Sequence, residues 1–275
     1  MIFKYKESLQ KDLIFTHIIR VKNKKTKWLP TDSEDRFLNL LKEHPNSKHL
    51  NNYLKNPISY QYNDYGFRTS DSFNTKDLGN IFLGCSHTFG VGHHLENVWS
   101  YKLSNFIGNK FFNIAEPGSG IMTQYRHLLY FIDKLNVKNV FHYLPDEDWY
   151  RYEYVKKDET FGRVVHEQLS PYLIDTFFNE KQIHLLNYVY IEAIRQLLNS
   201  RGIKYFLYTN SYASVENMNP YHKEWTPARD LIHYYVEEQD ELYKIFKHKY
   251  ENNLTDNQDN NFLINGINPL NPKLL

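Results

Sequence analysis

The pattern of apolar and polar positions changes character near residue 79. From there, short apolar runs alternate with stretches whose apolar residues recur every three or four positions. Residues 81–83, 110–114, 137–144 and 203–208 read as buried strands, the third ended by Pro145. The intervening segments have helical period. Residues 98–107 carry Trp99, Leu103 and Phe106 on one face, and 120–135 place Tyr125, Leu128, Leu129 and Ile132 in register. Residues 183–200 form a long helix closed by Arg201-Gly202, and 234–250 a final one. Strands alternating with helices predict an α/β fold, a parallel sheet covered on both faces.

Ahead of this unit, residues 1–75 read as an N-terminal extension. A helix is expected over 32–42, where apolar spacing follows an Asp32-Ser33 capping signal. Residues 56–66 read as loop and turn. The main domain is expected over 76–250, and 251–275, rich in Asn and Pro, as an irregular tail. After Pro145 comes a stretch of Tyr and charge without a clear period, an insertion or lid.

Composition narrows the function by exclusion. Lys and Arg number 33 against 32 Asp and Glu, a net charge of +1, so no global field draws the chain to nucleic acid or an anionic membrane. The basic run Lys22-Asn-Lys-Lys-Thr-Lys27 is short and reads as a solvated loop. A single cysteine, Cys85, rules out an internal disulfide and fits a reducing compartment. The first residues lack an apolar signal core and no run is long enough to cross a bilayer, so a soluble, cytoplasmic protein is expected. The 23 tyrosines suit interfaces and cores alike and leave the substrate open.

Candidate chemistry begins where the first strand stops. Asn80-Ile-Phe-Leu-Gly-Cys-Ser-His-Thr-Phe-Gly90 ends an apolar run in a Gly-x-Ser-x-Thr turn, presenting Ser86 at the carboxyl end of a strand. Far downstream, Arg229-Asp230-Leu-Ile-His233 supplies a carboxylate and an imidazole. A serine hydroxyl needs a base during attack; histidine titrates near neutrality, and a carboxylate on its other nitrogen fixes the tautomer. Gly118, in Asn113-Ile-Ala-Glu-Pro-Gly-Ser-Gly120, follows the second strand, and its N–H is a candidate oxyanion donor beside the N–H of Ser86.

These segments resemble blocks I, II and V of the SGNH (GDSL-like) hydrolase superfamily, and Asn63-Asp-Tyr-Gly-Phe-Arg68 is similar to the lead-in of many members. The likeness runs in order from about residue 62 to 250. It implies a three-layer α/β/α sandwich with a flavodoxin-like parallel sheet, and esterase, lipase or glycan O-deacetylase activity without a metal or other cofactor. Carried over by motif, Ser86 is the nucleophile, His233 the base, Asp230 its orienter and Gly118 an oxyanion donor. The expected partner is a small-molecule or glycan ester, with no nucleic acid and no membrane.

Two positions depart from the family pattern. Cys85 stands where the family usually has Asp, and reads as a small buried residue rather than a thiol nucleophile. After the third strand the chain reads Leu144-Pro-Asp-Glu-Asp-Trp-Tyr-Arg151, without the Asn of block III that gives a third oxyanion donor; His142 and Arg151 are the candidates to replace it. His87, His93 and His94 match no metal-binding spacing, and Gly90-Val-Gly92 lacks the third glycine of a dinucleotide fingerprint. Trp149, Tyr150, Tyr152 and Tyr154 suit either a stacked sugar ring or lid packing. The leading expectation is a serine esterase, with O-acetyl on a glycan favoured. An acyltransferase on the same scaffold and a non-catalytic glycan-binding or structural module are the alternatives.

Overall fold

A computed structural model describes residues 22–69, 71–145, 151–155, 161–165, 169–171, 180–210, 228–230, 233 and 236–257. Its centre is a parallel sheet of β3 (Leu78–Leu83), β4 (Lys110–Asn113), β5 (Asn136–Pro145) and β8 (Lys204–Asn210), in the order β4-β3-β5-β8. The chain steps outward from β3 to β4, then returns past β3 to β5. This is the order of a flavodoxin-like sheet, with a switch point between β3 and β5. Ser86 lies immediately after β3, at that point.

Helices cover both faces, so the molecule is a three-layer α/β/α sandwich. On one face α4 (Trp99–Ile107) packs against α7 (Val236–Glu251); on the other α5 (Ile121–Phe131) packs against α6 (Glu180–Asn199). Alternation along the strands assigns side chains to the two layers. Ile81, Leu83, Val140, Leu144, Tyr205 and Leu207 join the α5–α6 core. Phe82, Phe141 and Phe206, opposite one another in register, stack beneath α4 and α7 with centroids 5.4 and 4.9 Å apart. Trp99 completes that core on Phe246, 4.4 Å between centroids.

The helix expected at 32–42 is α1 (Glu34–Glu43), capped by Ser33, whose side chain accepts from Arg36 N. Asp32, half of the expected capping signal, is buried elsewhere. Three further elements of the N-terminal segment lacked a sequence signal. A second helix, α2 (Lys48–Lys55), is capped by Ser47, and β1 (Lys25–Thr26) pairs with β2 (Tyr60–Gln61) across the region expected as loop. Phe37, Leu50, Tyr53, Ile58, Tyr60 and Tyr62 bury themselves against Phe89, Val91 and Ala115, residues of the segments that follow β3 and β4. Residues 1–21 lie outside the described residues.

Two expected core positions are corrected. Phe106 and Leu129 are 43% and 44% exposed: each sits on the outer edge of its helix stripe, beyond the reach of the sheet. The stretch after Pro145 contains an antiparallel hairpin, β6 (Arg151–Val155) and β7 (Phe161–Val165). Glu153 anchors it on α5, accepting from Arg126 Nε at 2.9 Å and Thr123 Oγ1 at 3.0 Å. At the opposite edge, Asp256 and Asn257 accept from the N–H groups of Leu207 and Tyr205, so the first part of the tail closes the open side of β8. Among the described residues no helix is long and apolar enough to cross a membrane.

Candidate active site

The turn that carries Ser86 is shaped by contacts that forbid a larger residue at Gly84. Its φ is +150°, and a Cβ there would fall 2.1 Å from Thr88 Oγ1 and 2.9 Å from the Tyr143 carbonyl oxygen. The chain therefore turns sharply out of β3 into the short helix α3 (Ser86–Phe89). Ser86 is buried beside the fully buried Cys85, and its Oγ lies 3.9 Å from Cys85 Sγ. The loop after β4 is tied to the same turn: Glu116 N and Ser119 Oγ both donate to the Gly84 carbonyl, at 3.3 and 3.0 Å. That loop carries Gly118. Among the described residues the N–H groups of Ser86 and Gly118 donate to no acceptor.

Asp230 and His233 meet as their spacing suggests. Asp230 Oδ2 lies 2.6 Å from His233 Nδ1, and Asp230 Oδ1 accepts from the His233 backbone N–H at 3.2 Å. Two acceptor contacts from one buried carboxylate fix both the ring and the backbone that bears it. With Nδ1 held by Asp230, Nε2 is the nitrogen left for a substrate-side proton.

Long-range ties bring Asp230 and His233 to the turn that carries Ser86. The His233 ring lies edge-on to His87, centroids 5.5 Å apart. Gln239, on the first turn of α7, donates to the His87 carbonyl at 3.3 Å and accepts from Trp99 N at 3.0 Å. Arg229 N donates to the Gly92 carbonyl at 2.9 Å. His233 thus stands beside the residue next to Ser86; a Ser86–His233 hydrogen bond is not formed among the described residues. Such bonds are often long without substrate.

His142 is corrected as an oxyanion donor. Both of its ring nitrogens are engaged inside the core, Nδ1 with Tyr205 OH at 2.8 Å and Nε2 with Gln124 Oε1 at 2.6 Å. Gln124 turns its amide nitrogen to Ser119 Oγ, which itself donates to Gly84 O. Gln124 therefore presents an acceptor to His142, whose proton sits on Nε2 while Nδ1 accepts from Tyr205. Burial pushes the imidazole down to about 3, holding it neutral. The chain of bonds runs one way, from Tyr205 to Gly84 at the base of the Ser86 turn.

The remaining histidines diverge: His94 stacks on Tyr53, and the His93 carbonyl accepts from Arg68. Arg68, the last residue of the lead-in motif, is fully buried and also donates to the Phe89 and Gly90 carbonyls. Burial holds its pKa below the usual guanidinium range. It clamps the segment following Ser86. Of the aromatic stretch after the third strand, Tyr152 belongs to the core and Tyr154 is 48% exposed; Trp149, Tyr150 and the Asp146 region lie outside the described residues.

Sequence reasoning missed Asp32, Tyr60 and Gln239. No local pattern marks Tyr60 or Gln239, and Asp32 reads locally only as a helix cap, because each acts on partners far along the chain. Comparison with protein-family models, with curated proteins and with solved structures returned no match.

Proposed function

We propose that the chain is a serine esterase of SGNH type, acting through Ser86, His233 and Asp230. The observation that carries this reading is the Asp230–His233 pair, 2.6 Å apart, with the His233 ring seated against His87 in the nucleophile turn. The N–H groups of Ser86 and Gly118, which donate to no acceptor among the described residues, add support, since an oxyanion needs donors not already spent on the fold.

The proposed sequence begins as Ser86 Oγ bonds to the ester carbonyl carbon and its proton passes to His233 Nε2. The carbonyl electrons move to oxygen, which the two N–H groups stabilise. Collapse breaks the bond to the alcohol, which leaves with the proton from His233, and an acyl-enzyme remains. Water then repeats both steps and restores Ser86. Asp230 keeps the imidazole in its tautomer and stabilises the cation that forms. An O-acetyl group on a glycan is the favoured ester, the exposed Tyr154 offering a ring for stacking. A transferase would share the acyl-enzyme and differ in its acceptor.

The second reading is a non-catalytic glycan-binding module on the same fold. The unclosed Ser86–His233 bond and the absent block III Asn favour it. Hydrolysis of a short-chain chromogenic acetate separates the two. Under the esterase reading, Ser86→Ala and His233→Ala each lower kcat by about 10⁶-fold. A wild type no faster than Ser86→Ala would favour the binding module.

A further inference from the structure

The N-terminal segment reaches the candidate site through a closed ring of buried polar contacts. Asp32 is 1% exposed and takes the Arg229 guanidinium as a two-point fork, Nε to Oδ1 at 2.9 Å and Nη2 to Oδ2 at 2.5 Å. Arg229 also donates to the Lys27 carbonyl at 2.6 Å and lies 4.0 Å from the centre of the Trp28 ring. Two nitrogens and one face of that guanidinium are thus held by residues 27–32, and Arg229 is the immediate neighbour of Asp230.

The ring continues through Tyr60. Its hydroxyl donates to Asp32 Oδ2 and accepts from Gly92 N at 2.9 Å, so its single proton and a lone pair are both used. Gly92 closes the circuit by accepting from Arg229 N through its carbonyl. The two loops meet closely there. Gly92 has φ +77°, and a Cβ on it would stand 2.9 Å from Ala228 Cβ and 3.2 Å from Asp230 Oδ1. Gly92 lies in the segment after Ser86, which Arg68 clamps from the other side.

A buried ion pair is weak grounds for stability, because desolvating two charges offsets most of their attraction. Its fork geometry does fix direction. We infer that Asp32, Tyr60 and Arg229 are positioning residues, which hold the Asp230–His233 pair in register with the turn that carries Ser86. The N-terminal segment is then part of the reactive unit rather than an appendage. This inference rests on the serine-esterase reading and deepens it.

Tyr60→Phe tests it, since the ring stays in place while both polar contacts of the hydroxyl are lost; Asp32→Asn is the stronger companion. Both are compared with wild type for a cooperative thermal transition, then for hydrolysis of the chromogenic acetate. Tyr60→Phe is expected to lower kcat about a hundredfold, the scale of a small misplacement of reacting groups. KM should stay within about twofold. Introduced into Asp230→Asn, the same change should lower kcat by less than about twofold, because the pair it positions is already disabled. A full kcat in Tyr60→Phe, or an undiminished loss in the Asp230→Asn background, overturns the inference. If wild type neither hydrolyses the ester nor reacts with a fluorophosphonate, the esterase reading itself fails. The positioning is then read from the hydrogen-bonded Nδ1 proton of His233 by NMR. Its loss or broadening in folded Tyr60→Phe supports the inference, and an unchanged resonance overturns it.

Discussion

The turn that carries Ser86 and the segment of Asp230 and His233 meet at the His87 ring but are held in opposite ways. The turn is set by near neighbours: Gly84 admits the bend, Thr88 fills its inside, and α3 begins one residue after Cys85. The Asp230–His233 loop takes its place from distant partners, with Arg229 paired to Asp32 and Gln239 reaching back to His87. Local geometry can be written into a short motif. A loop placed by the rest of the molecule is vulnerable wherever those partners are, and its defects should separate activity from stability.

That separation gives the largest expected effect after loss of the triad itself. Asp32→Ala strands Arg229 in the interior and should destabilise the fold by about 3–5 kcal/mol in urea denaturation. The double change Asp32→Leu with Arg229→Met removes both charges and should recover most of that stability, since apolar replacements of buried pairs are often neutral. Ester hydrolysis should remain low in the double variant. Recovery of both together would make the pair a matter of stability alone.

A smaller effect tests the floor beneath the nucleophile turn. His142 is neutral in the folded protein down to about pH 3, whereas the unfolded chain takes up its proton near 6.5. The unfolded state therefore binds the extra proton as pH falls, and the stability present above about pH 6.5 is lost progressively toward pH 3. The slope is about 1.4 kcal/mol per pH unit within that window. His142→Gln should flatten the curve of unfolding free energy against pH by that amount. Parallel curves for the two proteins would contradict the assignment.

The smallest effect is expected on the helix edges. Phe106→Gln and Leu129→Gln should each shift stability by no more than about 0.5 kcal/mol, because both side chains stand outside the core. A loss of about 3 kcal/mol at either site, the scale of a core aromatic or leucine, would restore the apolar stripe as first drawn from sequence.

The sandwich was legible because its signals are strong: the strands at 81–83 and 203–208 stand out as short apolar runs, and the helices between them by apolar residues every three or four positions. The stripes failed at Phe106 and Leu129, where helical spacing marks a face but not its width. In the N-terminal segment, two-residue strands such as β1 and β2 are too short to show any period. Ser86, Asp230 and His233 were visible as residue types at telling spacings. Asp32 was visible too, but as a helix cap, and its actual partner lies 197 positions away. His142 was read as a donor to the cleft because its place in a strand does not reveal that Gln124 and Tyr205 occupy both its nitrogens.

The serine-esterase proposal requires that His233, brought beside the turn of Ser86 by these distant ties, activates Ser86. Labelling with a fluorophosphonate, followed by mapping of the modified peptide, tests it most directly. An adduct on Ser86 is expected in wild type, formed at least about a thousandfold more slowly in His233→Ala. An adduct on another residue, or equal rates in the two proteins, would contradict it.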